Sequence, residues 1–147
     1  MPKLLLKPRN KPAIIITREA IRDEKLVYFI RANKRIKYPW AHSSIVYIGM
    51  TSAGAHRMAS SAAHKAYDIL KLGRFRKLEI FVVTSWKLPG KASWPMLERA
   101  FVVKFKEIYG AVPERNKAFK NAKWRNERNY FNVSKLERIL KSYEPAI

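Results

Sequence analysis

The fold of this chain is decided by two stretches, LVYFI at residues 26–30 and IVYIG at residues 45–49. β-Branched and aromatic side chains fill both stretches, and these residue types favour strands. We therefore predict strands over residues 25–32 and 44–50, joined by a polar, basic connection over residues 33–43. Two strands with one connection between them most simply form an antiparallel hairpin.

The segments that follow predict a helix, a third strand and a second helix. An alanine-rich helical pattern covers residues 55–72 and stops at Gly73, a residue type that favours helix C-termini. Residues 77–84 carry strand-forming side chains. Apolar residues then recur at helical spacing between Ser93, a candidate N-cap, and Gly110.

The order of elements, ββαβα plus a C-terminal helix, predicts an α/β fold of the α+β type: a small three-stranded antiparallel sheet flanked by helices. We expect a basic N-terminal arm over residues 1–24 with a short helix at 17–23. A folded domain over residues 25–117 follows. A basic, aromatic extension over residues 118–147 is expected to pack on the same domain, with Ser134 as the cap of the last helix.

The composition is strongly basic, with 31 lysines and arginines against 11 acids and a formal net charge of +20. Such a charge costs self-repulsion, and a polyanionic partner is the simplest reason for keeping it. The absence of cysteine excludes disulfides, thiolate metal ligands and cysteine nucleophiles. No apolar run approaches the roughly 18 residues of a membrane helix. The sequence therefore predicts a soluble, intracellular protein, with the cytoplasm as the expected compartment.

Two basic segments are interleaved with aromatic residues, and both are candidate nucleic-acid contacts because cations bind phosphates and aromatic rings stack on bases. The first holds Lys34, Arg35 and Lys37 beside Tyr38 and Trp40; the second holds Lys117, Lys120, Lys123, Arg125 and Arg128 beside Phe119, Trp124 and Tyr130. Taken one at a time, the aromatic residues are better explained by core packing. The total positive charge is better explained by nucleic-acid binding, and we expect the affinity for DNA to fall steeply as the salt concentration rises.

Two tyrosines and one helix face carry candidate catalytic groups. Tyr28 and Tyr47 lie on neighbouring predicted strands and can converge on one face, although tyrosines that simply pack beneath a helix would look the same. On the next helix, a cation, a hydroxyl, an imidazole and a carboxylate share one face because they are three or four residues apart. These four are Arg57, Ser61, His64 and Asp68. Such a stripe can hold a phosphate and move a proton, whereas His64 and Asp68 alone can equally be a solvated pair.

Glu98 stands out because it lies between Leu97 and Phe101 on an apolar helix. A carboxylate near a buried face must be paired, protonated or bound to a metal. One interpretation pairs it with Arg99, Lys104 or another nearby base. The other makes it an oxygen ligand of Mg²⁺, an ion that one or two carboxylates usually hold together with water and substrate phosphate.

The same residues resemble the signature of the GIY-YIG nuclease superfamily. Residues 47–49 match its YIG half, and residues 26–28 stand where its GIY half belongs, with leucine in place of the glycine. Arg57 on the following helix, Glu98 on the helix after the third strand and Asn116 in the loop beyond it match the family's arginine, metal-binding glutamate and asparagine. The resemblance covers roughly residues 25–117. The connection between the two tyrosine strands is predicted to be longer than in compact members.

The resemblance implies hydrolysis of a DNA phosphodiester bond with one divalent ion, Mg²⁺ or Mn²⁺. It implies that Tyr28 or Tyr47 takes the proton of the attacking water, and the sequence does not choose between them. Arg57 would stabilise charge on the phosphate. Glu98 would hold the ion.

Two further roles follow from the resemblance. Asn116 would orient its neighbours through its amide. Some members carry a histidine one turn after the arginine, but that position is Ser61 here, so His64 is the candidate for assisting proton transfer or contacting phosphate. The expected partner is duplex or branched DNA. A homodimer is expected where both strands are to be cut, because one site cuts one strand.

Other functional classes also fit the sequence. A non-catalytic basic nucleic-acid-binding module, either a decayed nuclease or a ribosome-type protein, explains the charge and the aromatic residues, although it does not explain Glu98. An accessory subunit that docks a partner through Trp86 and Trp94 is a third class.

Overall fold

The computed structural model describes residues 3–13, 15, 25–71, 75–85 and 92–145. These described residues form an α+β fold, as predicted, built from three strands and three helices. In chain order these are β1 (Leu26–Lys37), β2 (His42–Thr51), α1 (Gly54–Leu70), β3 (Leu78–Val83), α2 (Ser93–Tyr109) and α3 (Val133–Ser142). Short 3₁₀ turns at Lys117–Phe119 and Glu127–Asn129 precede α3. The helix predicted at residues 17–23 lies outside the described residues, as does Gly73. Helix α1 ends at Leu70, two residues before the predicted end at residue 72.

The sheet has the order β2-β1-β3, with β1 in the centre and both neighbours antiparallel to it. The central position explains why LVYFI is apolar throughout: all five side chains are between 0% and 2% exposed. A strand that is covered on both faces has no solvent side on which to place polar residues. The predicted β1–β2 hairpin is confirmed.

The sheet separates two apolar layers. On one face Val27 and Phe29 pack against Phe101 of α2 and Leu140 of α3. On the other face Leu26, Tyr28 and Ile30 pack beneath Met58 and Ala62 of α1. Alternate residues of β1 therefore point to opposite layers, and Tyr28 belongs to the α1 side.

A β-bulge in β2 places two consecutive residues on the α1 side. Ile30 pairs with Tyr47, but the next residue, Arg31, pairs with Ile45, so Val46 is skipped in the ladder. Val46 and Tyr47 consequently both pack on the α1 side, while Ile45 belongs to the opposite layer. Tyr47 is on the face of Tyr28 because it pairs in regular register with Ile30, and the bulge adds Val46 to the same face.

The connection between β1 and β2 is shorter than the predicted one over residues 33–43. Strand β1 continues to Lys37, β2 begins at His42, and a turn closes between them where the Tyr38 N–H donates to the Ala41 carbonyl at 2.8 Å. The polar residues stay in the strand because the backbone ladder extends beyond the apolar part: Asn33 N–H donates to Lys77 O at 3.1 Å. The candidate phosphate-binding cations of this segment therefore lie on a strand rather than in a loop.

The helix caps differ from the predictions at two places. Ser93 is the first residue of α2 rather than its cap, and its hydroxyl accepts a hydrogen bond from Ser85 at 2.7 Å. The cap of α3 is Asn132, whose side chain accepts from the Lys135 N–H at 3.1 Å, and not Ser134. Asparagine and serine are about equally good caps, so sequence alone cannot rank them. Gly110 ends α2 in the left-handed conformation, as predicted, with φ 87°.

The C-terminal residues pack on α2. Glu127, which is 1% exposed, accepts from the Arg125 N–H and pairs with Arg99 of α2 at 3.1 Å. Leu136 and Leu140 of α3 complete the layer beneath α2. Within the part of the chain that the structure describes, no helix combines the length and the apolar character needed to span a membrane.

Candidate active site

Tyr28 and Tyr47 are brought together on the α1 side of the sheet. Tyr28 lies opposite Gly49 and Tyr47 lies opposite Ile30, so the two tyrosines are diagonal neighbours in the ladder. Their ring centroids are 5.9 Å apart. Tyr28 is 2% exposed, whereas Tyr47 is only partly buried, so Tyr47 is the phenol that solvent and a substrate can reach.

Gly49 leaves the space in which the two rings meet. A β-carbon at this position would lie 2.6 Å from Cε1 of Tyr47 and 2.7 Å from both Cζ and Oη of Tyr28. Atoms that are not bonded do not approach this closely, so any larger residue must displace one of the rings. The glycine of the IVYIG stretch is therefore required by its two tyrosine neighbours.

The two phenols are electrostatically different. Burial raises the pKa of both Tyr28 and Tyr47. The hydrogen bond between the two hydroxyls further raises the pKa of Tyr28 and lowers that of Tyr47, as expected when Tyr28 donates to Tyr47. Ser61 of α1 also hydrogen bonds to Tyr28 and lowers its pKa. The Tyr28 hydroxyl thus favours the ionised form of Tyr47, while burial and the negative charge of Glu98 keep the pKa of Tyr47 above its ordinary value.

Glu98 lies on the first turns of α2, close enough to the phenols for its negative charge to raise the pKa of Tyr28 and of Tyr47. Its side chain is 8% exposed. Burial raises the pKa of Glu98 to about 7, and the positive charge of Arg99 opposes that rise only weakly. The carboxyl group is therefore poised between its two protonation states near neutral pH.

The bases that sequence reasoning offered as partners of Glu98 are engaged elsewhere. Arg99 pairs with Glu127 at 3.1 Å. Lys104 pairs with Glu107 at 3.4 Å and with Glu137 at 3.8 Å. Among the residues that the structure describes, no ion pair or hydrogen bond neutralises the Glu98 carboxylate. A buried carboxylate without a partner is costly, and a bound cation would remove that cost.

The surroundings of Glu98 fit an ion with few protein ligands. In the described ranges, no group of three or more histidine, aspartate or glutamate side chains converges on a common point. A closed protein cage is therefore not formed there. An ion that takes one carboxylate and completes its shell with water and phosphate oxygens, as Mg²⁺ commonly does, fits the donor set.

Helix α1 carries the remaining polar candidates along one side. Ser61 reaches Tyr28. Arg57, one turn earlier on the same stripe, and His64, one turn later, are both exposed. Asp68 is partly buried, and its backbone carbonyl accepts a hydrogen bond from Arg115 at 3.2 Å. The side chains of Arg57 and His64 are open to solvent, and neither is among the groups that shift the pKa of Tyr28, Tyr47 or Glu98.

Lys65 is a site residue that sequence reasoning missed. Its ammonium group lies over the ring of Tyr47, 4.9 Å from the centroid. A cation at this distance is attracted to the ring face. The signal in the sequence was its position one turn after Ser61, but lysine is too common in this chain for that position to be distinctive.

Asn116 fixes the backbone of β2 between Tyr47 and Gly49. Its side chain, 3% exposed, accepts from the Ile48 N–H at 2.9 Å and donates to the Ile48 carbonyl at 2.7 Å. Arg115 N–H donates to the carbonyl of Val46 at 2.9 Å. Because β2 is an edge strand, these bonds replace a missing neighbour strand. Asn116 therefore holds the peptide that joins Tyr47 to Gly49.

Replacing Asn116 by alanine should destabilise the folded chain by about 2–4 kcal/mol, because two buried backbone groups of Ile48 lose their partners. Urea unfolding followed by circular dichroism measures the change. Asn126→Ala is the matched control, since Asn126 is exposed, and should be nearly neutral. Equal stability of the two variants would show that the Asn116 bonds contribute little.

The two basic segments lie at different distances from the phenols. The cations Lys34, Arg35 and Lys37 are exposed near the hairpin end of β1, roughly 20 Å from Tyr47 at about 3.3 Å per strand residue. Lys117 directly follows Asn116. Lys120, Lys123, Arg125 and Arg128 are exposed on the surface beside α2, where Arg128 stacks on Trp124 at 4.9 Å and pairs with Glu107 at 3.4 Å.

The aromatic residues of those segments divide between core and surface. Tyr38 is 6% exposed and donates to the Ile45 carbonyl at 2.8 Å. Phe119 and Trp124 pack against the core beneath α2. For these three the core-packing interpretation holds. Trp40 differs, because 71% of it is exposed.

No protein-family model, curated protein or solved structure matches this chain. The resemblance to GIY-YIG nucleases therefore depends on the residues themselves: the tyrosine pair, Gly49, Arg57, Glu98 and Asn116. Four of these, namely the two tyrosines, Gly49 and Glu98, are close together, and Asn116 holds the backbone beside them.

Proposed function

We propose that this chain is a metal-dependent endonuclease that hydrolyses DNA phosphodiester bonds. One observation carries the proposal: a buried carboxylate, Glu98, has no partner among the described residues and lies beside a hydrogen-bonded pair of phenols. If Glu98 formed an ion pair within the protein, its carboxylate would not be free to bind a cation. A site that binds a cation and a phosphate requires a free carboxylate of this kind.

Tyr47 is the proposed general base of the two tyrosines between which the sequence did not choose. It is more accessible than Tyr28, and the Tyr28 hydroxyl stabilises its ionised form by donating a hydrogen bond. Lys65 lies over the ring face of Tyr47. Tyr47 can take the proton of the attacking water only after its own hydroxyl has released a proton to solvent. Because burial and the charge of Glu98 raise the pKa of Tyr47, a cation bound at Glu98 would have to offset that rise, while Tyr28 keeps its own proton.

Glu98 would hold one Mg²⁺ or Mn²⁺ ion, which supplies charge neutralisation at the phosphate and at the departing 3′ oxygen. Arg57 is exposed on the first turns of α1, where its guanidinium can donate two hydrogen bonds to non-bridging oxygens. His64 is the proposed phosphate contact one turn beyond Ser61. Asn116 keeps Tyr47 in place through the backbone of Ile48.

The charge distribution supports a nucleic-acid substrate. The formal net charge is +20, and all eight candidate phosphate-binding cations of the two basic segments are exposed. Polyanion binding by such a surface is driven by the release of counterions. A single site of this kind cuts one strand per encounter, so a double-strand break takes a homodimer or two successive encounters.

The direct test is nicking of supercoiled plasmid with Mg²⁺, with Mn²⁺ and with EDTA. Arg57→Ala should lower the metal-dependent rate by about a hundredfold or more, because a donor to the transition-state charge is lost. Filter binding should show nearly unchanged affinity. Arg138→Ala, another exposed arginine on α3, is the matched control. Equal rates for the wild type and Arg57→Ala would place the active site elsewhere.

A second candidate is the non-catalytic nucleic-acid-binding module. One observation favours it: burial raises the pKa of both phenols and of Glu98, so the site is largely neutral in the absence of a cation. A decayed nuclease could keep such a neutral cluster for stability alone. Binding without any metal-dependent nicking, on plasmid, branched DNA and RNA alike, would favour this alternative.

A further inference from the structure

Trp40 is an exposed aromatic residue at the far end of the hairpin, in the turn between β1 and β2. It is 71% exposed. An exposed indole of this kind is unusual in a residue type that normally buries most of its surface. The proposed catalysis gives it no role, because it lies roughly 20 Å along β2 from Tyr47 at about 3.3 Å per residue.

The ring of Trp40 is held in place although it is exposed. Its backbone N–H donates to the Tyr109 carbonyl at 3.1 Å. The ring lies against Gly110, where a β-carbon would be 2.9 Å from Cδ2 of Trp40 and 2.9 Å from Cβ of Pro39. Gly110 has φ 87°. The end of α2 therefore supports one edge of the indole and leaves the rest open.

The charge around Trp40 is positive. Lys37, with His42 opposite it in the ladder, is exposed next to the turn, and Lys34 and Arg35 are exposed further along β1. Glu144, a carboxylate near this end of the sheet, is already bound by Ser43, Ser44 and Tyr109. A ligand at the turn therefore meets a fixed aromatic ring beside cations for which the described residues supply no ion pair.

We propose that Trp40 is a stacking platform for an unpaired base of the nucleic-acid strand that the protein binds. A nucleic-acid strand supplies negative charge that complements the cations and flat bases that can stack on the indole ring. Bases inside a duplex already have both faces covered, so the platform takes a base from a single-stranded or distorted segment. At 3.4 Å per nucleotide, roughly 20 Å corresponds to about six nucleotides from the cleaved bond.

A second copy of this chain is a poorer occupant. Two chains of net charge +20 repel each other. A single indole and its flanking proline also bury far less than the roughly 800 Å² per partner of a stable interface. The proposal extends the proposed function and rests on it only for the distance to the cleaved bond. The stacking contact itself needs no catalysis.

The test compares two labelled DNA duplexes with equal numbers of phosphates, one blunt and one with a single-stranded overhang of about ten nucleotides. Binding is measured by fluorescence anisotropy in EDTA, so that nothing is cleaved. Trp40→Ala should weaken binding of the overhang DNA roughly tenfold to a hundredfold and leave the blunt duplex nearly unchanged. Trp40→Phe should restore most of the preference. Tyr67→Ala, which removes another exposed aromatic (69% exposed) from α1, is the matched control.

An abasic position moved along the overhang locates the contact. At one position of the overhang, an abasic sugar should weaken binding by the wild-type protein as much as Trp40→Ala does, and it should not weaken binding by the Trp40→Ala variant any further. Equal losses on blunt and overhang DNA, no loss on either, or a dimer that Trp40→Ala dissociates would each overturn the proposal. Plasmid nicking is measured separately. A preference for overhang DNA without nicking would refute only the proposed nuclease activity, and nicking without that preference would refute only the proposed stacking role of Trp40.

Discussion

Replacing Glu98 by glutamine is expected to abolish metal-dependent cleavage and, at the same time, to make the folded chain more stable above neutral pH. The loss of activity follows because glutamine keeps the shape of the side chain but gives up the charge that binds the ion. A fall of about a thousandfold or more is expected for the loss of a metal's contribution to the transition state. DNA binding should be nearly unchanged.

The gain in stability follows from the pKa of Glu98, which burial raises from its ordinary value of 4.5 to about 7. Between these two values the folded chain keeps a proton that the unfolded chain has released, so the free energy of unfolding falls as the pH rises through this window. Above pH 7 the full penalty is present, on the order of 2–3 kcal/mol. Glutamine, which does not titrate, escapes the penalty.

Urea unfolding at pH 4 and at pH 8 checks the prediction. Glu98→Gln and the wild type should have similar stability at pH 4, and the variant should be more stable at pH 8. Glu79→Gln is a control of opposite sign: the hydrogen bond from Arg31 lowers the pKa of Glu79, so this variant should lose stability at pH 8. Added Mg²⁺ should stabilise the wild type but not Glu98→Gln. A Glu98→Gln protein that nicks at the wild-type rate would refute the metal-ligand role.

The parts of the fold that the sequence predicted are those decided by local composition. β-Branched and aromatic runs mark the first two strands, and Gly110 marks the end of α2. The polar half of β1 was missed because its residues are exposed. They remain in the strand only because β3 and β2 supply backbone partners such as Lys77 and His42. Pairing of that kind is decided by tertiary structure rather than by side-chain propensity.

The candidate site was likewise predicted only in part, because some of its features depend on tertiary structure. Strand periodicity was enough to predict that Tyr28 and Tyr47 converge, although it could not reveal the bulge that places Val46 on the same face as Tyr47. Whether Glu98 has a partner could not be read from its neighbours in the sequence. That depends on Glu127, from the C-terminal segment, which occupies Arg99.

Replacing Gly49 by alanine tests whether the two tyrosines act as a positioned pair. The added methyl group would lie 2.6 Å from Cε1 of Tyr47 and 2.7 Å from Oη of Tyr28. Tyr28 is buried between the sheet and α1 and has little room to move, so Tyr47 must shift. A displacement of about 1 Å at a catalytic group costs roughly a hundredfold in rate. Overpacking adds a stability loss of about 1–3 kcal/mol.

Leu140→Ala separates the two effects. Leu140 is fully buried, so its truncation makes unfolding easier, but it lies in the apolar layer on the opposite face of the sheet from Tyr28 and Tyr47. Both variants should therefore unfold more readily, and only Gly49→Ala should lose activity per folded molecule, measured by nicking at a temperature where each variant is folded. Equal specific activities would mean that the spacing of the two phenols does not matter for the reaction, and the general-base role of Tyr47 would have to be abandoned.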